Sequence, residues 1–220
     1  EPDIRSADEA KAYLDQIKLI LQYLDISDCR MQEGSIRCDV NVSVMPEGSE
    51  VYGTRAEMKN VNSFSAAVRG INYEIARQIE ILRSGGEVVQ ETRRWDDVAG
   101  KSATMRSKED AQDYRYFPEP DLAVIEVDKQ WLENIRATIP ELPDQRLSRY
   151  LETYGLSEYE CGILVSNIAR AEFFDIAAKS GKVPAKAICN WLLGDISKIL
   201  NESGEEINET KITPEKLVRI

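Results

Sequence analysis

Charged and amide side chains alternate with apolar ones in two nearby stretches, SIRCDVNVSV (residues 35–44) and TRAEMKN (residues 54–60). Successive side chains of a β-strand point to opposite faces, so each stretch predicts a strand with one packed face and one polar face. The polar faces would carry Arg37, Asp39 and Asn41 in the first strand, and Arg55, Glu57 and Lys59 in the second. If the strands pair as a hairpin, the two polar faces coincide. Carboxylates bind hard cations, and Lys and Arg bind phosphoryl oxygens, so the pattern suits a magnesium–phosphate site.

Further polar residues enlarge this candidate set. They are Asn60, Asn62, Glu91, Arg93, Arg94, Asp96 and Asp97, together with the stretch DYRYFPEPDL (residues 113–122), which contains Tyr116. The alternative is that these strands have one solvated face, as antiparallel sheets commonly do. The phosphate-binding pattern GxxxxGK[ST] does not occur, so the sequence contains no P-loop of that type.

Composition restricts the class of protein. The 220 residues include 28 basic and 39 acidic side chains, for a net charge of -11, which argues against a surface that binds nucleic acid throughout. Histidine is absent, which leaves carboxylates, Lys, Arg, Tyr and amides for chemistry. The four cysteines form no CxxC pair, and no stretch looks like a membrane span or signal peptide. We therefore expect reduced thiols, a cytoplasmic location and no membrane partner.

Secondary-structure signals are mixed in the first part of the chain. Ser6 and Glu9 form a capping box before a first helix, and Ser63 caps a second helix that ends at the SGG sequence of residues 84–86. The apolar residues expected to face inward from the second helix are Val68, Ile71, Ile75, Ile79 and Leu82. Further strands are predicted for EVVQETRRWDD, KSATMRS and LAVIEV.

The second part of the chain carries only helical signals. A link with two prolines, WLENIRATIPELPDQR, precedes a capping box of Ser157 and Glu160, a helix start at Pro184 and an N-cap at Thr213. The fold class predicted is therefore α+β, with an antiparallel sheet in residues 1–138 followed by an all-helical domain in residues 139–220. The absence of an initiator methionine and the helix beginning at Thr213 indicate a piece of a longer protein.

Several long strings of the sequence resemble one protein family. They are EPDIRS, EGSIRCDVNVSV, GTRAEMKNVNSF, GGEVVQETRRWDD, QDYRYFPEPDL and TIPELPDQR, in this order. Together they are similar to the GatB family, one of the subunits of the aspartyl/glutamyl-tRNA(Asn/Gln) amidotransferases. The resemblance implies a cradle-shaped catalytic domain, of which residues 1–138 would be the C-terminal half, followed by a truncated helical domain.

The resemblance also implies an activity and partners. The family phosphorylates the side-chain carboxylate of Glu-tRNA(Gln) or Asp-tRNA(Asn) with ATP and then amidates it with ammonia derived from glutamine. It implies Mg2+ and ATP, a GatA-type amidase subunit, a GatC-type small subunit and aminoacyl-tRNA, and no DNA. By similarity the catalytic candidates are Asp39, Arg37 and Lys59, with Asp39 as the metal ligand. The substrate- or ATP-binding candidates are Asn41, Asn60, Asn62, Arg94 and Tyr116.

Alternatives remain for several of these residues. Asn60 and Asn62 fit a turn and cap around Ser63 equally well, and Tyr116 fits a loop anchor. Arg37 could pair with Glu57 across the hairpin. The family's upstream histidine and glutamates are absent from this sequence, so we expect the chain alone to lack amidotransferase activity. A non-catalytic module that binds RNA or protein is the alternative function, and it would require a basic stripe in place of converging acidic and basic groups.

Overall fold

A computed structural model describes residues 3–107 and 117–219 of the chain. The strands are β1 (Val40–Val42), β2 (Ala56–Lys59), β3 (Glu91–Asp96) and β4 (Lys101–Ser107). The helices are α1 (Ala7–Tyr23), α2 (Phe64–Arg83), α3 (Lys129–Thr138), α4 (Pro143–Tyr154), α5 (Glu158–Val165), α6 (Ile168–Lys179), α7 (Ala185–Trp191), α8 (Ser197–Ser203) and α9 (Pro214–Leu217). This arrangement confirms the α+β class.

The chain divides into two compact units. The first comprises Glu1–Lys18 and Ser27–Val127, and the second comprises Leu19–Ile26 and Asp128–Ile220. The sheet belongs to the first unit, and the described residues of the second form helices and turns only. The predicted boundary at residue 138 stays a prediction.

The four strands form one mixed sheet in the order β1-β2-β3-β4. The outer pairs, β1 with β2 and β3 with β4, are antiparallel as predicted, whereas β2 and β3 are parallel. The parallel pair arises because α2 lies between β2 and β3 in the chain. A connection of that length returns the chain to the end from which β2 started.

The first strand is shorter than the alternation predicts. Only Val40–Val42 is paired, against Ala56, Glu57 and Met58 of β2, although residues 35–44 alternate in sequence. The partner β2 has only four residues, so it supplies few backbone groups for pairing. Burial nevertheless continues to alternate outside the strand, because Arg37 and Asp39 are exposed and Cys38 is partly buried.

Helix α2 covers one side of the sheet. Its N-cap is Ser63, as predicted, whose hydroxyl accepts a hydrogen bond from the Ala66 N–H at 3.0 Å. Of the predicted inward residues, Ile71 is buried and Val68 and Ile75 pack against the core, whereas Leu82 is exposed. Gly70, Glu74 and Gln78, which the apolar stripe does not include, are also buried. Gly70 lies against the sheet so closely that a Cβ there would be 2.6 Å from the Met58 Sδ. The helix therefore turns a small residue and two polar residues toward the strands.

The predicted strand at LAVIEV is wrong. Residues 122–127 form no strand and are exposed, and the predicted link contains α3 instead. Its N-cap Asp128 accepts a hydrogen bond from the Trp131 N–H at 2.7 Å. β-Branched composition gave a strand signal here, but none of the described strands pairs with this segment.

The helical unit forms its own core around Tyr150, Leu164, Phe174, Ile188 and Leu192, which are at most 1% exposed. The predicted caps at Ser157 and Thr213 and the helix start after Pro184 are confirmed. The segment 19–26 is fixed to this core because the Tyr23 hydroxyl donates to the Val165 carbonyl at 2.8 Å. Among the helices of the described residues, none has the length and apolar character needed to cross a membrane.

Candidate active site

The strand register assigns side chains to two faces of the sheet. Val40, Val42, Ala56, Met58 and Trp95 are buried and form the packed face, which lies against α2. Because strand residues alternate, Asn41 of β1, Glu57 and Lys59 of β2, and Thr92 and Arg94 of β3 lie on the opposite side, which we call the open face. The prediction that the polar sides of β1 and β2 coincide is confirmed, since Asn41 lies directly opposite Glu57.

The packed face also contains a buried network of charged and amide side chains, contributed by α2 and β3. The carboxylate of Glu74 is fully buried and accepts hydrogen bonds from Arg77 at 2.6 and 2.9 Å. The Gln78 amide donates to Glu74 at 2.8 Å and to the Val42 carbonyl at 3.0 Å, which joins α2 to β1. Every charge in this group has a partner, so its role is to support the sheet.

Arg93 belongs to the same network. Its guanidinium donates to the Ser102 hydroxyl at 2.7 Å, to the Ser102 carbonyl at 2.9 Å and to the Thr104 hydroxyl at 3.1 Å, and it pairs with Glu91. Burial raises the pKa of Glu91, but the hydrogen bonds from Thr104 and Arg93 outweigh it and hold that pKa below its ordinary value. The sequence groups Glu91 and Arg93 with the candidate residues, and the structure places them inside the scaffold.

The open face brings together acidic and basic groups on three strands. Glu57 is the register partner of Thr92, and Lys59 is the register partner of Arg94. The Lys59 ammonium lies 3.1 Å from the Glu57 carboxylate, which also accepts a hydrogen bond from the Thr92 hydroxyl at 3.1 Å. Within the described part of the chain, Arg94 has no hydrogen bond or ion pair and is exposed. The face therefore presents a neutralised lysine beside an arginine whose charge is available.

Arg37 and Asp39 lie immediately before β1. Their closest charged atoms are 4.0 Å apart, and their side chains are 79% and 45% exposed. A pair this open is held weakly, so both groups are accessible to a ligand. Alternation continued outward from β1 would place them on the side of Asn41, and this placement stays a prediction.

Asn60 and Asn62 have different surroundings. Asn60 has a φ of 66°, in the left-handed region that Asn tolerates, and its side-chain amide donates to the Trp95 carbonyl at 3.0 Å. Asn60 thus ties the end of β2 to β3, which matches the structural alternative. Asn62 lines a surface recess of about 260 Å3 at the start of α2, together with Lys11 and Lys18. Tyr116 lies outside the described residues.

Two residues of the open face, Glu57 and Thr92, are not among the site residues that the sequence predicts. The sequence places Glu57 on the polar face that suits a magnesium–phosphate site and offers it as a salt-bridge partner of Arg37, but it assigns Glu57 no catalytic or binding role and gives no role to Thr92. The alternation in TRAEMKN already places Glu57 between Arg55 and Lys59 on the polar side. Its contact with Thr92 depends on the parallel pairing of β2 and β3, which the sequence does not predict.

The described residues offer an incomplete set of ligands for a metal ion. No group of three or more His, Cys, Asp or Glu side chains in residues 3–107 and 117–219 could hold one. Mg2+, however, is commonly bound by one or two carboxylates together with substrate phosphates and water. Asp39 fits the role of one such carboxylate, because its side chain is partly exposed and only loosely paired.

Comparison with known proteins places the chain in a family. The model of the GatB/GatE catalytic domain matches residues 1–133, which include all four strands. The chain belongs to this family. The GatB/GatE match ends inside α3, so the sheet and both of its faces lie within the matched region.

Individual GatB relatives extend the similarity over the whole chain. The chain is 56% identical over 223 residues to the GatB subunit of the aspartyl/glutamyl-tRNA(Asn/Gln) amidotransferase of Caldicellulosiruptor bescii, covering 100% of this chain and 46% of the relative. The corresponding subunits of Caldicellulosiruptor saccharolyticus and Carboxydothermus hydrogenoformans are 55% and 51% identical, with 100% of this chain and 46% and 45% of the relatives covered. The chain thus spans about half the length of the curated relatives it matches.

Proposed function

We propose that this chain is part of the GatB subunit of a tRNA-dependent amidotransferase, and that the open face binds anionic groups during phosphoryl transfer. Family membership and the names of the relatives support the class of activity. The observation that carries the proposal for the open face is the pairing in register of Lys59 with Arg94, two cations on adjacent strands of a rigid sheet.

The proposed reaction has two steps. First, a side-chain carboxylate oxygen of Glu-tRNA(Gln) or Asp-tRNA(Asn) attacks the terminal phosphorus of ATP, so that an acyl phosphate forms and ADP leaves. Ammonia released from glutamine then attacks the acyl carbon, inorganic phosphate leaves, and a proton is lost to give the amide. Both steps develop negative charge on oxygen, and neither requires a covalent bond to the protein. Positioned positive charge is therefore the main contribution required of the site.

The residues of the open face divide this work by their chemistry. Arg94 offers a planar fork that matches two oxygens of a phosphoryl or carboxylate group, and Lys59 offers a point charge beside it. Arg37, which is largely exposed, would hold a second anionic group, and Asn41 would donate from its amide. Mg2+, held by Asp39 and phosphate oxygens, would supply charge neutralisation on ATP.

We propose that the subunit acts in a complex with other proteins and with tRNA. A GatA-type amidase subunit would supply ammonia, a GatC-type subunit would complete the complex, and the aminoacyl-tRNA would carry the acyl group. We propose that the complex works in the cytoplasm, and all four cysteines are free thiols, as expected there. The chain alone is expected to be inactive, because it covers only 46% of the relative's length and residues 1–138 would be only the C-terminal half of the catalytic cradle.

The alternative, a non-catalytic binding module, predicts a different charge pattern. Such a module would need a continuous basic stripe, whereas the open face alternates Glu57 with Lys59 and Arg94 on neighbouring strands. Mixed charge in register suits a site that binds a metal–phosphate group better than one that follows a nucleic-acid backbone.

The test uses a complete three-subunit complex whose full-length GatB subunit carries this sequence. We would measure ATP-dependent conversion of Glu-tRNA(Gln) and Asp-tRNA(Asn) to the amides across magnesium concentrations. Asp39→Asn and Lys59→Met should each lower the rate at least about tenfold, the loss expected when one interaction with a charged group is removed. Lys198→Met, an exposed lysine of α8 without a described partner, is the matched control and should keep the wild-type rate. Normal amide formation by Lys59→Met would refute the role of the open face.

A further inference from the structure

Glu57 differs from the other charged residues of the open face in its burial. Its side chain is 13% exposed, compared with 35% for its partner Lys59 and 45% for Asp39. A carboxylate that has lost most of its water requires strong partners. Glu57 has them in the Lys59 ammonium and the Thr92 hydroxyl, both at 3.1 Å.

The register gives these contacts a regular arrangement. Glu57 and Lys59 are two residues apart on β2, and their neighbours on β3 are Thr92 and Arg94. The four side chains thus occupy the corners of a rectangle on one face of the sheet. One row contains the carboxylate and the hydroxyl that donates to it, and the other contains the two cations.

This arrangement counters two difficulties of an anion site built from two cations. Adjacent positive charges repel each other, and a lysine side chain loses rotamer entropy when it is fixed. A carboxylate 3.1 Å from the ammonium offsets the repulsion and restrains the lysine before any ligand arrives. Restraint in advance lowers the cost of binding, because the ordering is already complete.

We propose that Glu57 is a positioning residue that holds the Lys59 ammonium beside Arg94, so that the two cations form a preorganised seat for one phosphoryl or carboxylate group. Thr92 orients the Glu57 carboxylate from the neighbouring strand. Arg94, exposed and without a described partner, keeps the seat net positive when Glu57 neutralises Lys59. This inference rests on the proposed function of the open face.

The experiment measures kcat and KM for ATP and for the misacylated tRNA in the complete three-subunit complex. The variants are Glu57→Gln, which keeps the shape and the ability to accept from Thr92, Lys59→Met, and the two combined. We expect Glu57→Gln to lower kcat/KM about tenfold, as for the loss of one charged hydrogen bond. The loss should fall on the same parameter, kcat or KM, as the loss in Lys59→Met. The combined variant should be no worse than Lys59→Met alone, because Glu57 acts through Lys59.

A second pair of variants distinguishes a loss of activity from a loss of folded protein. Thr92→Val removes the hydroxyl that orients Glu57 and should weaken the same parameter by a smaller factor. Thr104→Val is its matched control, since that hydroxyl donates to Glu91 at 2.6 Å in the scaffold network. It should lower the melting temperature of the complex and leave kcat/KM unchanged.

The outcomes distinguish failure of the positioning role of Glu57 from failure of the proposed function of the open face. Full additivity of Glu57→Gln and Lys59→Met would show that Glu57 acts independently and would overturn the inference. Impaired Lys59→Met with normal Glu57→Gln would also overturn it, while the proposed function would stand. Normal turnover by Lys59→Met would remove the proposed function itself.

Discussion

The two faces of the sheet contain the same kinds of side chain, which differ in their burial and in their hydrogen-bond partners. On the packed face Arg93 is 10% exposed in its side chain and donates to Ser102 and Thr104, while Arg94, the next residue, is exposed and has no described partner. Each face pairs a glutamate with a basic residue and a threonine hydroxyl. Charged composition alone therefore does not separate a site from a scaffold. The separating property is that the open face includes an exposed cation, Arg94, to which the described residues supply no partner.

The largest expected effect concerns the scaffold face. Glu74→Ala would leave the partly buried Arg77 without its main partner, and breaking an ion pair whose carboxylate is buried costs about 3–5 kcal/mol of unfolding free energy. Urea denaturation followed by circular dichroism measures this loss. Glu80→Ala, on the exposed side of the same helix, is the control and should change the unfolding free energy by less than about 0.5 kcal/mol. Equal effects of the two variants would contradict the description of the buried network.

Acid should weaken the scaffold network through Glu91. Its pKa is raised by burial and lowered more strongly by hydrogen bonds from Thr104 and Arg93, so the folded pKa lies below the ordinary 4.5. A depressed carboxyl pKa adds stability above the unfolded value, and that stability is lost as the pH falls through the folded pKa. Between about pH 6 and pH 3, the wild type should therefore lose more unfolding free energy than Glu91→Gln. Parallel pH profiles for the two proteins would contradict this.

Asn60 directly follows the last residue of β2, and variants that change its backbone preference distinguish a structural role from a substrate-binding role. Asn60→Ala should cost about 1–2 kcal/mol of unfolding free energy, because alanine is strained at a φ of 66° and cannot donate to Trp95. Asn60→Gly removes the strain and should cost less than Asn60→Ala. Chemical denaturation compares the two variants. If both variants kept full stability but abolished amide formation, Asn60 would be a substrate ligand, as the family resemblance implies.

The smallest effect is expected at the accessible pair before β1. Arg37→Ala should change the unfolding free energy by no more than about 0.5 kcal/mol, since the pair with Asp39 is wide and both side chains are open to water. Thermal melting in low and high salt measures it. A melting temperature lowered by several degrees would show that Arg37 packs into the scaffold. Arg37 would then not be an accessible charge.

Local sequence signals predicted the parts of the fold that depend on near neighbours. The alternation around Asn41 and Glu57 predicted which side of each strand is polar, and the caps Ser63, Ser157 and Thr213 predicted where helices begin. These features depend on side-chain direction and on hydrogen bonds within three residues.

Features that depend on distant partners were missed. The buried face of α2 includes Glu74 and Gln78, because Arg77 and the Val42 carbonyl satisfy them, and an apolar stripe does not reveal that. Residues 122–127 have the composition of a strand but pair with none of the described strands. The link from Glu57 to Thr92 requires a parallel pairing 35 residues along the chain. For the same reason the sequence grouped Arg93 with Arg94, which point to opposite faces.

That adjacent pair provides the most direct test of the central claim, that the open face is the site and the packed face its support. Arg93→Gln and Arg94→Gln are the same chemical change one residue apart, and both would be assayed in the complete three-subunit complex for ATP-dependent amide formation and for melting temperature. We predict that Arg94→Gln lowers the rate at least about tenfold with an unchanged melting temperature, because it removes one charged contact to the substrate. Arg93→Gln should lower the melting temperature by several degrees, because it breaks the buried network. Full activity in Arg94→Gln, with stability unchanged, would contradict the assignment of the open face as the site.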